Sequence, residues 1–400
     1  MTFSAADLLA EVNPLADHYR YFRVGERTLL SGHSHQAWPD CGLEAQRRAW
    51  LDAAEHVDDK WSLAFAEADK VRSGYRRLID DPTGLFSLAG STHDLLVKLI
   101  SALPLAERPR LVTTDGEFHS LRRQLDRLAE EGIEVHKVPA LPAADVGERL
   151  AAAVTDTTSA VFTSTVFFGS SHIAGDLTPA AEACRRHGAI LVLDVYHQLN
   201  VVPFSLAARD LLDVYVVSAG YKYCQLGEGN AFLRFPRDCE LRPVATGWFA
   251  EFGQLTAPQE GEGVSYSTAD DRFGGATYDP TSHYRAARVF EFFSDHGLDA
   301  LTLREVSQAQ IALLCREFDA LDLDPAVISR DRSVELSAIG GFLALTSPHA
   351  GRLCRLLEEH GIHSDFRDQV LRLGPAPYLS RRQLTDAVAI LAEVVGEATG

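Results

Sequence analysis

Between about residues 90 and 235 the chain alternates short, continuously apolar, β-rich runs with stretches of helical periodicity. The apolar runs are Arg110 to Thr114, Ile133 to Val138, Ser159 to Phe168, Ala189 to Val195, Asp213 to Ser218 and Asn230 to Phe235. Helical patterns fill most of the gaps, most clearly Phe118 to Glu131 and Thr178 to His187, the second ended by Gly188. Strands that are apolar on both faces and separated by helices require a mostly parallel sheet covered on both sides. The expected class is therefore α/β, a seven-stranded-type sheet sandwiched by helices. After the Gly-rich, polar segment Trp248 to Pro280 the pattern turns helical at Ser282 to His296 and Leu301 to Leu321. A β-rich stretch, Ser333 to Thr346, and a last helix, Arg381 to Glu397, complete a smaller α+β domain. The expected boundaries are 41–281 for the large domain and 282–400 for the small one. Residues 1–40 are expected to pack on the small domain and line the active site. The Trp248 to Pro280 connection is long for a structureless loop, which marks it as functional.

A net charge of −18 argues against nucleic acid as a partner, because neutralising phosphates needs a clustered basic surface. No apolar run approaches the roughly 20 residues that span a bilayer, and Met1 to Ala10 has no signal-peptide character, so a cytoplasmic location with no membrane partner is expected. Six scattered cysteines with no C-x-x-C pair fit reduced thiols and no zinc site.

Lysine chemistry has only five candidates, Lys60, Lys70, Lys98, Lys137 and Lys222, and none follows a glycine, so there is no Walker-type phosphate loop. G-x-G-x-x-G, G-x-S-x-G and H-E-x-x-H are absent as well, which removes dinucleotide, serine-hydrolase and zincin chemistry. What remains is Asp194 at the end of one buried strand and Lys222 just after another, at the sheet edge where α/β proteins place ligands. A lysine and an aspartate so placed suit pyridoxal phosphate. The cofactor needs an amine for its Schiff base and a carboxylate to keep its ring nitrogen protonated. His197 would reach the ring hydroxyl, and Gly90-Ser91-Thr92 entering a helix offers N–H groups and hydroxyls for the phosphate. His33 and His35, alternating in an extended segment, would face one side, but no third ligand accompanies them and no metal is expected.

The run Gly188 to His197, then Ser218-Ala-Gly-Tyr221-Lys222-Tyr223 and on to Ala231-Phe-Leu, resembles kynureninase, of the aminotransferase class V superfamily. Thr114-Asp-Gly-Glu-Phe118-His119 is similar to the superfamily segment whose aromatic residue stacks on the pyridine ring. Gly247-Trp248-Phe249 resembles the kynureninase substrate aromatics, and Asp271 to Thr277 the loop that reaches the partner subunit's cofactor phosphate. Asp365-Phe-Arg followed by Leu371-Arg372-Leu-Gly-Pro is similar to the segment whose arginine holds the substrate α-carboxylate. The likeness implies pyridoxal-phosphate fold type I, with an aspartate aminotransferase-like large domain and a homodimer with sites at its interface. It implies Lys222 and Tyr221 as catalytic groups, and Ser91, Thr92, Phe118 or His119, Asp194, His197, Ser218 and Thr277 around the cofactor. Arg372, His33, His35, Trp248 and Phe249 would contact an amino-acid substrate.

By that likeness the reaction is hydrolytic Cβ–Cγ cleavage of kynurenine or 3-hydroxykynurenine to an anthranilate-type product and alanine. Departures fall where substrate is read: Gly32-His33-Ser34-His35 replaces a Gly-Asn-Ser-Leu-Gly-type stretch, no asparagine occurs at Ala276 to Pro280, and Tyr378-Leu379-Ser380 follows Pro377. A class V aminotransferase, β-lyase or epimerase therefore stays open, and more remotely a non-catalytic binding protein. A cysteine desulfurase is disfavoured because His360 to Leu371 holds no cysteine.

Overall fold

The computed structural model describes residues 2–254 and 263–399; part of the Trp248 to Pro280 segment thus lies outside the described residues. A short strand β1 (Thr28–Leu29) precedes the seven strands of the main sheet. These are β2 (Leu85–Ala89), β3 (Arg110–Thr114), β4 (Glu134–Val138), β5 (Thr158–Ser164), β6 (Ile190–Asp194), β7 (Tyr215–Ala219) and β8 (Ala231–Phe235). Their order is β2-β8-β7-β6-β5-β3-β4. Pairings from β4 through β3, β5 and β6 to β7 are parallel, and β8 runs antiparallel to both neighbours. The fold is thus α/β, with a mostly parallel central sheet flanked by helices.

The apolar runs become strands because both sheet faces are covered. All residues of β5, β7 and β8 are buried. Alternate residues of one strand feed two cores: Val161, Leu191 and Val216 join one cluster, while Phe162, Val192 and Val217 join the other. Each such side chain contributes about 1.5–3 kcal/mol of transfer free energy, largely offset by backbone ordering of ~1–2 kcal/mol per residue.

The run Ser159 to Phe168 is a strand only to Ser164, and Val166 then bridges to Ile173. The apolar count overran because Phe167 is a buried loop residue. Likewise only Leu343–Thr346 of the Ser333 to Thr346 stretch is a strand, preceded by a 3-10 turn at Leu336–Ala338. Edge strand β2 and the helices Cys41–His56 and Lys60–Leu78 complete the layers before residue 90.

The second sheet is built from β9 (Ser329–Arg330), β10 (Leu343–Thr346), β12 (Asp365–Arg367) and β13 (Val370–Leu373), in the order β12-β13-β10-β9, while β11 (Ile362–His363) pairs with β1. The N-terminal segment is tied to this region: the Asn13 side chain donates to the carbonyls of Pro377 and Leu379, and Gly32 N–H donates to Gly374.

One buried ion pair fixes the antiparallel strand. Arg234 of β8 donates Nε to Asp81 at 2.5 Å and its terminal nitrogens to the carbonyls of Val214 and Leu212, and both charged side chains are fully buried. Burial alone would raise the Asp81 pKa; the guanidinium and the N–H groups of Thr83 and Gly84 outweigh it and hold the carboxyl below its usual value. A depressed carboxylate pKa stabilises the fold above the unfolded value of about 3.9, and that contribution is lost as pH falls through the folded value. Asp81→Asn is expected to lower unfolding stability at pH 7 by about 3–5 kcal/mol in chemical denaturation, since it strands a buried cation.

Candidate active site

Because β2, β3, β5, β6 and β7 point the same way, their carboxyl ends gather at one edge. Antiparallel β8 starts there, so the turn joining it to β7 lies on that edge too. A cavity of about 250 Å³ opens at this edge, lined by Ser91 and Thr92 after β2, Phe118 after β3, Asp194 at the end of β6, and Tyr221 and Lys222 after β7.

Lys222 is buried, and its Nζ lies 2.8 Å from His197 Nε2. It sits 4.9 Å from the centroid of the Tyr196 ring and 5.6 Å from that of Phe118. Among the described residues no carboxylate is within salt-bridge distance of it. Burial brings its pKa down to about 7, with Arg372 and Arg367 pushing the same way against Asp194 and Asp365. A substantial fraction of this amine is therefore free base at neutral pH. His197 is held well below its ordinary value by burial and then by the positive field of Lys222, so it is neutral. Its Nδ1 has no partner, an orphaned polar atom in a buried wall.

Asp194 is the last residue of β6, in register with Ser164 of β5 and Val217 of β7. Its Oδ1 accepts the Tyr196 N–H at 2.9 Å, and its carbonyl accepts from Thr165. Burial raises its pKa, opposed by that N–H and by Lys222. Across the cavity Ser91 caps the helix Thr92–Ser101, accepting from Asp94 N–H, so the positive end of the helix and two hydroxyls face the same space. Thr92 Oγ1 lies 2.7 Å from the Tyr196 hydroxyl and donates to the Ser218 carbonyl. An amine, a carboxylate, an aromatic face and a helix N-terminus with hydroxyls together form a donor set that fits pyridoxal phosphate.

The other expected residues are placed as follows. Phe118 lines the cavity and His119 is exposed beside it. Ser218 is fully buried and outside the lining; its carbonyl holds Thr92, while its hydroxyl stays on its own strand. His35 is exposed and stacks on Tyr221 at 5.2 Å, with its Nε2 3.7 Å from Glu228. Thr277 is exposed and outside this cavity. Phe249 lines a neighbouring, larger cavity of about 670 Å³, walled by Phe65, Phe252 and Tyr278, and Trp248 packs 4.4 Å from Phe249. The two cavities meet at Gly90 and His93.

Arg372 is buried and outside the lining of the Lys222 cavity. It donates Nε and Nη2 to the two oxygens of Asp365, at 2.8 and 2.5 Å, and Nη1 to the carbonyl of Phe168. Three of five guanidinium hydrogens are used, leaving one N–H on each terminal nitrogen. His33, fully buried, puts Nε2 2.7 Å from Asp365 Oδ1, and burial lowers its pKa to about 4. Gly374 permits this approach: a Cβ there would lie 2.2 Å from His33 Nδ1.

The sequence reading missed Tyr196, Ser164, Glu117 and the role of Asp365. Tyr196, Glu117 and Asp365 sit inside the very motifs that drew attention to their neighbours. Ser164, at the end of β5, could be found by the same strand-end rule as Asp194.

Burial would raise the Asp365 pKa, but His33 and Arg372 outweigh it and hold the carboxyl well below its usual range. Its stabilisation is thus complete above about pH 4 and lost as pH falls through the folded value. Asp365→Asn is expected to cost about 1.5–3 kcal/mol at pH 7 in urea unfolding and to flatten the acid limb of the stability profile.

Residues 303–391 match the family described as Kynureninase C-terminal domain. The "Uncharacterized aminotransferase YcbU" of Bacillus subtilis is 20% identical over 347 residues, 85% of this chain and 87% of that protein. A kynureninase of Shouchella clausii is 20% identical over 431 residues, 98% of this chain and 94% of its own. Among solved structures, a mutant of C-DES with glycine covalently linked to the PLP cofactor superposes with a TM-score of 0.81 at 18% identity, covering 95% of this chain and 99% of that one. A cysteine desulfurase from Thermococcus onnurineus NA1 gives 0.77 at 15% identity, covering 96% and 98%. The chain is kynureninase-like, with the fold shared by class V pyridoxal-phosphate enzymes.

Proposed function

We propose that this chain is a pyridoxal-phosphate-dependent enzyme acting on an amino acid, and that its reaction is kynureninase-type hydrolytic Cβ–Cγ cleavage of kynurenine or 3-hydroxykynurenine. The observation that carries the reading is Lys222, a buried amine with no carboxylate partner among the described residues, sharing one cavity with Asp194 and a hydroxyl-bearing helix N-terminus. When bound, the cofactor supplies an aldehyde and an electron-withdrawing ring for bonds at the substrate Cα.

The chain's own groups do the rest. Lys222, near neutrality half free base, is the nucleophile that attaches the cofactor and afterwards carries a proton at Nζ. Asp194 would keep a positive charge on the ring nitrogen, Phe118 would cover the ring, and His197 would serve the ring hydroxyl. Ser91, Thr92 and the helix N-terminus would hold the phosphate. Tyr221, whose pKa burial raises, stays a phenol and can donate a proton. Arg372, oriented by Asp365, offers its remaining N–H pair to the α-carboxylate, a fork that lysine cannot imitate. Thr277, exposed, is assigned to the partner's phosphate in a homodimer.

The larger aromatic-walled cavity, joined to the first at Gly90 and His93, favours an aryl side chain and hence kynurenine. The near full-length likeness to an aminotransferase and the cystine C-S lyase among the structural relatives keep transamination and β-elimination as the second reading.

Purified protein is expected to be yellow, and borohydride should fix the cofactor to Lys222. The attachment rate should rise with pH and level off above about 7, because the free-amine fraction grows through the Lys222 pKa. Lys222→Ala should abolish fixation and cut turnover by about 10²–10⁴-fold or more. Kynurenine and 3-hydroxykynurenine should yield fluorescent anthranilate-type product; transfer of the amino group to a 2-oxo acid without it would make the enzyme a transaminase.

A further inference from the structure

Glu117, on the turn after β3, is a buried carboxyl group that the proposed chemistry does not use. Its Oε1 accepts the Thr114 hydroxyl at 2.6 Å and the Ser164 N–H at 3.1 Å, so that oxygen is occupied by two donors. Thr114 Oγ1 itself accepts the Gly116 N–H, which leaves its hydrogen for Glu117. Oε2 has one partner, the Ser164 hydroxyl at 2.7 Å, and a hydroxyl can donate or accept. A proton on Glu117 therefore resides on Oε2 and points at Ser164. Ser164 then accepts it and turns its own hydrogen away from Glu117. When Glu117 is ionised the bond reverses, and Ser164 donates to it.

Ser164 lines the Lys222 cavity and lies in register beside Asp194. We propose that Glu117 is a positioning residue whose charge sets the direction of the Ser164 hydroxyl and the negative field behind Asp194, and thereby the protonation of the cofactor bound there. The last step rests on the pyridoxal-phosphate reading; the Glu117–Ser164 switch does not.

The charged group facing Glu117 is Asp194, which Lys222 in turn faces from the end of β7. Asp115, its neighbour on the turn, is directed to the Ala140 N–H, and His119 is exposed. Burial pushes the Glu117 carboxyl up to about 7, with Asp194 adding to it against the Thr114 and Ser164 donors, so the switch operates at neutral pH.

Glu117→Gln is the natural test, because glutamine keeps both accepted bonds and its amide permanently donates to Ser164, imitating the protonated acid. In the cofactor-free protein, infrared spectroscopy should show a protonated-carboxyl stretch that disappears with a midpoint near neutral pH. The band should be missing in E117Q and should persist to higher pH in Thr114→Val, which removes one donor from the carboxylate. In the loaded protein, the pH midpoint of the cofactor's visible band should move down by about half a unit to one unit in E117Q, since a negative charge that favours protonation is gone. No titrating band in the wild type, or midpoints identical in wild type and E117Q, would overturn the inference. A colourless wild type would instead fail the cofactor reading and leave the infrared result to decide the switch.

Discussion

The rest of the site depends on a desolvated amine. Taking Lys222 out of water without a carboxylate in salt-bridge range is unfavourable for its charged form, and the structure lowers that penalty by letting the amine lose its proton rather than by neutralising it. His197, equally buried, stays neutral and gives Nζ a hydrogen-bond partner without adding charge. Asp194 lies near enough to pull the Lys222 pKa upward, yet it is anchored to the Tyr196 N–H instead of to the amine. Had the two formed a direct ion pair, the lysine would be locked as a cation and useless as a nucleophile.

That separation is a consequence of topology. Asp194 and Lys222 follow adjacent parallel strands, whose ends bring them to the same edge, while the turn after β7 swings Lys222 toward His197. Antiparallel β8 starts at that edge and carries the chain back away from it, so the turn that bears Lys222 stays at the edge. The reversal is secured far from the cavity by the Arg234–Asp81 pair, where a fully buried cation does meet its carboxylate. Arg234 and Lys222 are thus buried basic groups handled in opposite ways: a paired arginine where rigidity is needed and an unpaired lysine where chemistry is.

The class and the cofactor end of the site were legible in the sequence for a physical reason. Doubly covered strands must be continuously apolar, so β3 and the helix Thr178–His187 can be read to the residue, and a charged residue ending such a run stands out. Asp194 is a residue of that kind, and Lys222 lies on the turn just after the next such run. The reading failed where tertiary burial, not periodicity, decides. Phe167 is apolar because it fills a loop, and Asp365 gains its importance from two partners, His33 and Arg372, that lie far from one another in sequence. Glu117 was invisible for the same reason, since nothing local distinguishes a buried carboxyl from a helix-capping one.

Substrate recognition is less legible still, because the larger cavity draws its walls from separate elements. Phe65 comes from the helix Lys60–Leu78, Phe249 and Phe252 from the 3-10 turn Trp248–Gln254, and Tyr278 from the segment before the next helix. Tyr278 is itself held from behind. Asn230 spends its amide on Ser282, so its oxygen accepts from His283 Nδ1, and His283 must then accept the Tyr278 proton at Nε2. The Tyr278 oxygen is left as an acceptor at the cavity. The sheet edge thus carries groups whose positions follow from strand polarity, while the neighbouring walls rest on loops and helices free to vary without disturbing it. A chain of this kind can keep one cofactor site while changing the side chain it admits.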